Sequence, residues 1–340
     1  MRECKKKSYT LVLFAIFIIM YDTLIPSQWV LQNSTTNYYL SSIHFLNTET
    51  GFVTAINTAS PYNSKILSTT SGGSLWNTQQ DFYDFIPQCI QFINDLTGFA
   101  AGGFYASSIP KFFKTTNSGL DWAIIGTYNY PCGVFSIDFL DSLHGYACGQ
   151  NVVIKTTNGG LNWNPCFGIL PSVRKSSLDF ININTGWLVA DSGRVYKTIN
   201  AGLNWSEQDI YTNDDLSDIN FINNQTGFIS GKNGFISRTI DFGLNWQKLS
   251  SNISTELISI SNPAPNNVFI CGHSGLTIKT LDNGNNWQVC NTGTTENLAS
   301  IYFININTGY SCGSNGTILK TTNGGVIGVN NISGEIPKEF

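Results

Sequence analysis

Two aspartates, Asp138 and Asp179, hold the same place in neighbouring copies of a repeated segment. Carboxylates brought together at a dry site push one of the pair toward neutrality. That is the arrangement a glycoside hydrolase needs for its general acid and its base or nucleophile. The matching positions of other copies hold His44, Gln91, Asn220 and Tyr302. Such a set is equally the hydrated wall of a central channel, and we read the six as channel-lining, with a glycoside hydrolase using Asp138 and Asp179 as the alternative.

Other chemistries find less support. A sialidase needs three arginines converging on a carboxylate, and only Arg174 and Arg194 fall in or beside loops of a plausible active face. The three histidines, His44, His144 and His273, stand at unrelated repeat positions and suggest no metal site. Asp214, Asp215 and Asp218 form a small acidic cluster on one connection, read as a solvated loop. There is no glycine-rich phosphate loop and no Ser/His/Asp motif, so no cofactor is implied. A third group consists of aromatics near the long loops of the first two repeats: Tyr62, Phe82, Tyr83, Phe104, Tyr105, Tyr128 and Tyr130, with Tyr38, Tyr39 and Phe85. Exposed together, flat rings would hold a protein or glycan ligand at little entropic cost. Alternatively, they cover the enlarged loops at 58–63 and 104–110.

The elements that carry these residues follow from one phrase, Thr-x-Asn/Asp-x-Gly-x-x-Trp. It occurs at 115–122, 156–163, 198–205, 239–246 and 280–287, as the variant TTSGGSLW at 69–76, and as a fragment, TTNGG, at 321–325. The phrase tryptophans Trp76, Trp122, Trp163, Trp205, Trp246 and Trp287 recur with a period near 40, which marks stacked β-units. Within the phrase, Asn or Asp is expected to accept left-handed backbone angles and cap amides, Gly to supply a positive φ, and Trp to bury its ring. Ser71, Asn117, Asn158, Asn200, Asp241, Asp282 and Asn323 are therefore structural.

The last copy lacks its tryptophan, and Trp29 begins the chain one strand after a phrase. The spacing predicts an all-β, seven-bladed β-propeller with four-stranded antiparallel blades, its ring closed by the N-terminal strand completing the last blade. Strand A of each blade alternates, with inward pairs Ile43/Phe45, Ile90/Phe92, Ile137/Phe139, Leu178/Phe180, Ile219/Phe221 and Ile301/Phe303. An aromatic opens each strand B: Phe52, Phe99, Tyr146, Trp187, Phe228, Phe269 and Tyr310. A lysine recurs on strand C, with Arg238 in the same slot.

The 340 residues carry 18 basic and 22 acidic side chains, a balance that gives no footprint for nucleic acid or anionic membrane. Residues 1–24 read as an export signal: Lys5, Lys6 and Lys7 precede an apolar run at 11–20, too short to span a bilayer. No small-x-small cleavage site follows, so an uncleaved anchor stays open. Eight cysteines are present, Cys4 in the signal; the rest are expected mostly as buried free thiols. Cys148, Cys271 and Cys312 share a small slot on strand B, and Cys166 and Cys290 share another position.

The phrase resembles the Asp-box, or bacterial neuraminidase repeat. With the strand A–B signature F-x-n-x-x-x-G-[FYW], the chain looks most like the propellers of the photosystem II stability/assembly factor family. That resemblance implies a scaffold gripping a partner polypeptide through an arginine-rich face. Here the mature part has only Arg174, Arg194 and Arg238, so the photosynthetic role is not carried over. The tail GVNNISGEIPKEF is similar to the linker before the sorting domain of type IX secretion cargo. The reading is thus a signal at 1–24, a propeller at 28–326 and a linker at 327–340. It describes a secreted or cell-surface, monomeric, non-catalytic binding module for a protein or glycan.

Overall fold

The computed structural model describes residues 29–57, 63–83, 85–103, 109–130, 132–169 and 173–325. The signal at 1–24, the tail at 327–340, Tyr62, Phe104 and Tyr105 lie outside the described residues. Within them, seven four-stranded antiparallel sheets follow one another around a ring. The innermost strands, A, are Tyr39–Phe45, Pro87–Phe92, Val134–Phe139, Lys175–Phe180, Leu216–Phe221, Leu257–Ala264 and Leu298–Phe303. Strand Val30–Gln32 closes the seventh blade by pairing antiparallel with Ile318–Thr321, Val30 opposite Lys320. This is the closure expected from the chain ends, and it leaves that blade with its fourth strand.

Each phrase folds as an amide-capping turn between strands C and D. In the third blade the Thr156 hydroxyl donates to Asn158 Oδ1 at 3.0 Å and accepts the Gly160 N–H at 2.9 Å. Asn158 Oδ1 accepts the Asn162 N–H at 2.9 Å. Asn117, Asn200, Asp241 and Asp282 repeat that bond, and Ser71 makes it with the Leu75 N–H. Asn323 takes the Thr321 hydroxyl at 3.0 Å.

One detail differs from expectation. The left-handed residues are not the Asn or Asp but the two that follow: Ser118 and Gly119, Ala201 and Gly202, Phe242 and Gly243, Asn283 and Gly284. The side-chain cap fixes the Asn or Asp and forces the chain to reverse after it. The carbonyl of the first left-handed residue then faces the preceding blade. Lys155 Nζ donates to the Ala201 carbonyl at 2.8 Å, Lys279 to Gly324 at 2.8 Å and Lys320 to Gly72 at 2.7 Å. Arg238 makes the same bond to Asn283. The recurring strand C cation is therefore a staple between blades.

Rings fill the interblade space. The strand A phenylalanine stacks on the strand B aromatic of the preceding blade: Phe139 on Phe99 at 3.5 Å, Phe180 on Tyr146 at 3.6 Å, Phe45 on Tyr310 at 3.7 Å. The same phenylalanine meets its own blade's phrase tryptophan edge-on, as Phe180 meets Trp205. Burying such rings adds to the cohesion between blades. Cys148, Cys271 and Cys312 are fully buried in their shared slot, and all seven cysteines of the described region are free thiols.

Candidate functional site: the central channel and its mouth

An inner strand A has no partner on its channel side, so its amides there need acceptors from elsewhere. The neighbouring blade supplies them. Gln91 Oε1 accepts the Phe139 N–H at 2.7 Å, and Asp138 Oδ2 accepts the Phe180 N–H at 2.7 Å. Asp179 Oδ2 accepts the Phe221 N–H, and Asp218 Oδ2 accepts the Ile260 N–H at 2.7 Å. Ser261 Oγ takes the Phe303 N–H at 2.9 Å. Ser300 and Ser42 do the same for Ile43 and Ile90, each at 3.3 Å.

Of these, Ser42, Gln91, Asp138, Asp179, Asp218 and Ser300 line a cavity of about 570 Å³ on the ring axis. His44, Gln91, Asp138, Asp179, Asn220 and Tyr302 all border it, at its inner level. Above them lies a second level, Ser42, Cys89, Ser136, Ser177, Asp218, Ser259 and Ser300, of which only Asp218 is named from the sequence. Six of them stand two residues before the named positions, and Ser259 stands two before Ser261. The sequence groups Asp218 with Asp214 and Asp215 on one connection; the structure separates them. Asp218 sits on strand A, bonded to the Ser177 hydroxyl at 2.6 Å, whereas Asp215 pairs with Lys232 and Asp214 with Asn233. The sixth blade lacks the inward phenylalanine of the others because Asn262 stands in its place, and Asn262 Nδ2 donates to Asn220 Oδ1.

Below the His44 level the same-phase positions turn apolar. Leu46, Ile93, Leu140, Ile181, Ile222 and Ile304 pack against the interblade clusters. At the other end the cavity is bordered by Tyr39, Gln88, Phe135, Arg174, Asp191, Asp215, Lys232 and Glu256, from the first residues of strands A and the B–C loops. The mouth thus opens on the face opposite the Asp-boxes.

Burial governs the charges. Desolvation raises Asp138 and Asp218 to about 6 and Asp179 well above the usual carboxylate range. The bonds from the Phe180 and Ile260 amides pull the first two back down. Desolvation lowers His44 to about 4, so its imidazole is neutral near pH 7. Arg174 stacks on Phe135 at 4.7 Å at the mouth. Arg194 lies away from it on an outer strand, paired with Glu207. His144 pairs with Asp141 at 2.8 Å and His273 with Glu256 at 3.5 Å. Among the described residues, no group of three or more His, Cys, Asp or Glu is arranged to hold a metal ion. Nor is any described helix long and apolar enough to cross a membrane.

The aromatic group does not form one exposed set. Phe82 and Phe85 are buried with Phe113, centroids 4.8 Å from it, because strand Asn77–Tyr83 turns Phe82 inward. Tyr83, next along that strand, is 74% exposed. Tyr128 and Tyr130 lie 6.4 Å apart and border a separate pocket on the flank, with Asn158, Asn162, Trp163 and Asn164. Tyr39 borders the channel mouth, and Tyr38 packs against the first-blade cluster.

Comparison with known proteins agrees with this architecture. The profile of the photosynthesis system II assembly factor YCF48 family matches residues 170–259 and 250–322. No curated protein matches the sequence. Among solved structures, YCF48 bound to D1 peptide is similar with TM-score 0.71 and 18% identity, over 88% of this chain and 98% of that one. YCF48 from Cyanidioschyzon merolae gives 0.70 and 16%, over 86% and 98%. The GH74 xyloglucanase from Xanthomonas campestris gives 0.69 and 10%, over 88% of this chain and 54% of that chain. At these identities the likenesses establish the fold and leave activity open. The chain is a seven-bladed β-propeller of the Asp-box type that resembles the photosynthesis system II assembly factor YCF48, by profile over its later blades and by fold over nearly its whole described length.

Proposed function

We propose that this chain is an exported, non-catalytic binding propeller that holds a polypeptide partner on the face where the channel opens. The observation that carries this reading is the engagement of the channel carboxylates. Asp138 and Asp179 each accept a backbone amide of the next blade, as Gln91 and Ser261 do at equivalent positions. A glutamine and a serine serve the same bond, so the position is filled for ring cohesion and not for proton transfer. The mouth adds mixed charge and two rings, Tyr39 and Phe135, a surface suited to polar peptide backbone and side chains. A structure similar in fold is described as bound to a peptide, which is consistent with this use of the ring. The export reading rests on the lysines and apolar run of residues 1–24.

A glycan ligand is the second reading, favoured by the exposed Tyr130 beside Asn158, Asn162 and Asn164. A random-peptide display selection and a glycan array, run on the purified chain, separate the two. Enrichment of a peptide consensus supports the proposal. Glycan binding without any enriched peptide, or release of sugar from a bound polysaccharide, would overturn it.

A further inference from the structure

The charge inside the channel is unbalanced. Six carboxyl groups border the cavity, those of Asp138, Asp179, Asp191, Asp215, Asp218 and Glu256, against two cations, Arg174 and Lys232; burial raises Asp138, Asp179 and Asp218 toward neutrality, and a cation beside them favours their ionised forms. Lys232 is committed to Asp215 at 2.6 Å and Arg174 stacks on Phe135, both at the mouth. Among the described residues no cation forms an ion pair with Asp138, Asp179 or Asp218. A cleft lined by one sign of charge with low-dielectric walls concentrates the field and draws the opposite charge inward.

A second, independent feature lies on the first blade, around the ring from Asp138 on the third and Asp179 on the fourth. The His44 imidazole has no hydrogen-bond partner among the described residues, borders the cavity, and is held between rings. Its centroid is 4.5 Å from Tyr302 and 5.8 Å from Phe92. Being neutral near pH 7, it offers a nitrogen lone pair and no repulsion to a cation. Asp138 takes the Phe180 amide on Oδ2 and Gln91 Nε2 on Oδ1 at 3.2 Å, whereas Asp179 spends Oδ2 on the Phe221 amide and its Oδ1 accepts nothing from the described residues, so Asp179 offers the freer lone pairs. The described His, Cys, Asp and Glu side chains do not assemble a metal site, so an organic cation fits better than a bare ion.

We propose that the inner channel is a binding site for an aliphatic ammonium group, held between the carboxylates of Asp138 and Asp179 and the imidazole of His44. An ammonium carries three donors pointing apart, and the acceptors here are spread around a ring. A planar guanidinium would need its acceptors gathered on one fork. The group can arrive on a free polyamine or on the lysine side chain of a polypeptide. From the Tyr39 level to the His44 level is five residues of strand, about 16 Å, so a polyamine reaches by its own length, whereas a lysine stem covers only part of that depth and needs its backbone inside the mouth. This inference goes beyond peptide binding on the outer face and stands without it.

Isothermal titration of the full chain at pH 7.5 tests the site with four probes. These are spermidine, its fully acetylated uncharged derivative, the capped peptide Gly-Gly-Lys-Gly-Gly, and the same peptide with norleucine for lysine. The site requires that at least one charged probe binds and that its uncharged counterpart does not. Binding of spermidine alone assigns a free amine; binding of the lysine peptide, a side chain. Asp179→Asn, which keeps an oxygen for the Phe221 amide, should weaken that binding at least about tenfold, a loss of about 1.4 kcal/mol. Asp214→Asn, on the outer loop, should leave it unchanged. No binding of either charged probe, equal binding of charged and uncharged probes, or undiminished affinity in a folded Asp179→Asn would overturn the proposal.

Discussion

The Asp138 carboxylate and the Phe180 amide meet across the boundary between the third and fourth blades at 2.7 Å. The side chain that invited a catalytic reading is thereby committed to holding the ring. Gln91 with Phe139 and Ser261 with Phe303 repeat the relationship with uncharged groups. The bond needs an acceptor at this position and does not need a negative charge, and that difference has a measurable consequence.

Asp179→Asn keeps an acceptor for the Phe221 amide and removes a buried charge. Burial raises Asp179 well above its ordinary value, so the folded state holds the proton more tightly than the unfolded chain does. Its contribution is therefore fully favourable below about pH 4 and is lost as pH rises through the folded pKa. The variant should melt higher than the parent at pH 8, by several degrees at roughly 2–4 °C per kcal/mol, and the gap should close near pH 4. His44, lowered to about 4, acts in the opposite sense, costing stability as pH falls from 6.5 toward 4. His44→Gln should therefore gain relative to the parent on acidification. Melting curves from pH 4 to 8 read both slopes.

Ala201 is left-handed with φ 57° so that its carbonyl can take Lys155. The third blade uses Gly159 at the same place, and the first uses Gly72. Ala201→Gly removes the Cβ penalty of that conformation and leaves the carbonyl bond intact. Relief of about 1–2 kcal/mol exceeds the roughly 0.4–1 kcal/mol of added unfolded-chain entropy, so a small rise in melting temperature is expected. A fall of several degrees would show that the residue is not held left-handed.

The aromatic residues split into two classes by burial. Phe82→Ala should cost on the order of 3–5 kcal/mol, since Phe82 packs against Phe85 and Phe113. Tyr83→Ala and Tyr130→Ala should stay within about 0.5 kcal/mol of the parent, because both rings are largely exposed. Chemical denaturation of the three variants decides the matter.

Much of this architecture could be read from the chain. The Trp spacing gave blade number, and the offset between Trp29 and Gly325 gave ring closure, because closure is a matter of strand count. Period-2 alternation located the six channel residues. The serine level above them stayed hidden because small polar residues carry no pattern until the ring sets neighbouring strands side by side. The aromatic group misled for a related reason: Phe82 and Tyr83 are adjacent in sequence, yet successive strand residues face opposite ways. Which of the two faces the core depends on the strand's register with Ser64 and Asn63.

The most direct test of the account takes a peptide enriched by selection and measures its affinity for two sets of variants. One set alters the channel mouth, Tyr39→Ala and Arg174→Ala; the other alters the exposed leucines of the Asp-box face, Leu120→Ser and Leu203→Ser. A binding propeller that uses its open face predicts a loss of about tenfold or more in the first set, some 1.4 kcal/mol, and none in the second. Loss confined to the leucine variants, or affinity unchanged in both sets, would contradict it.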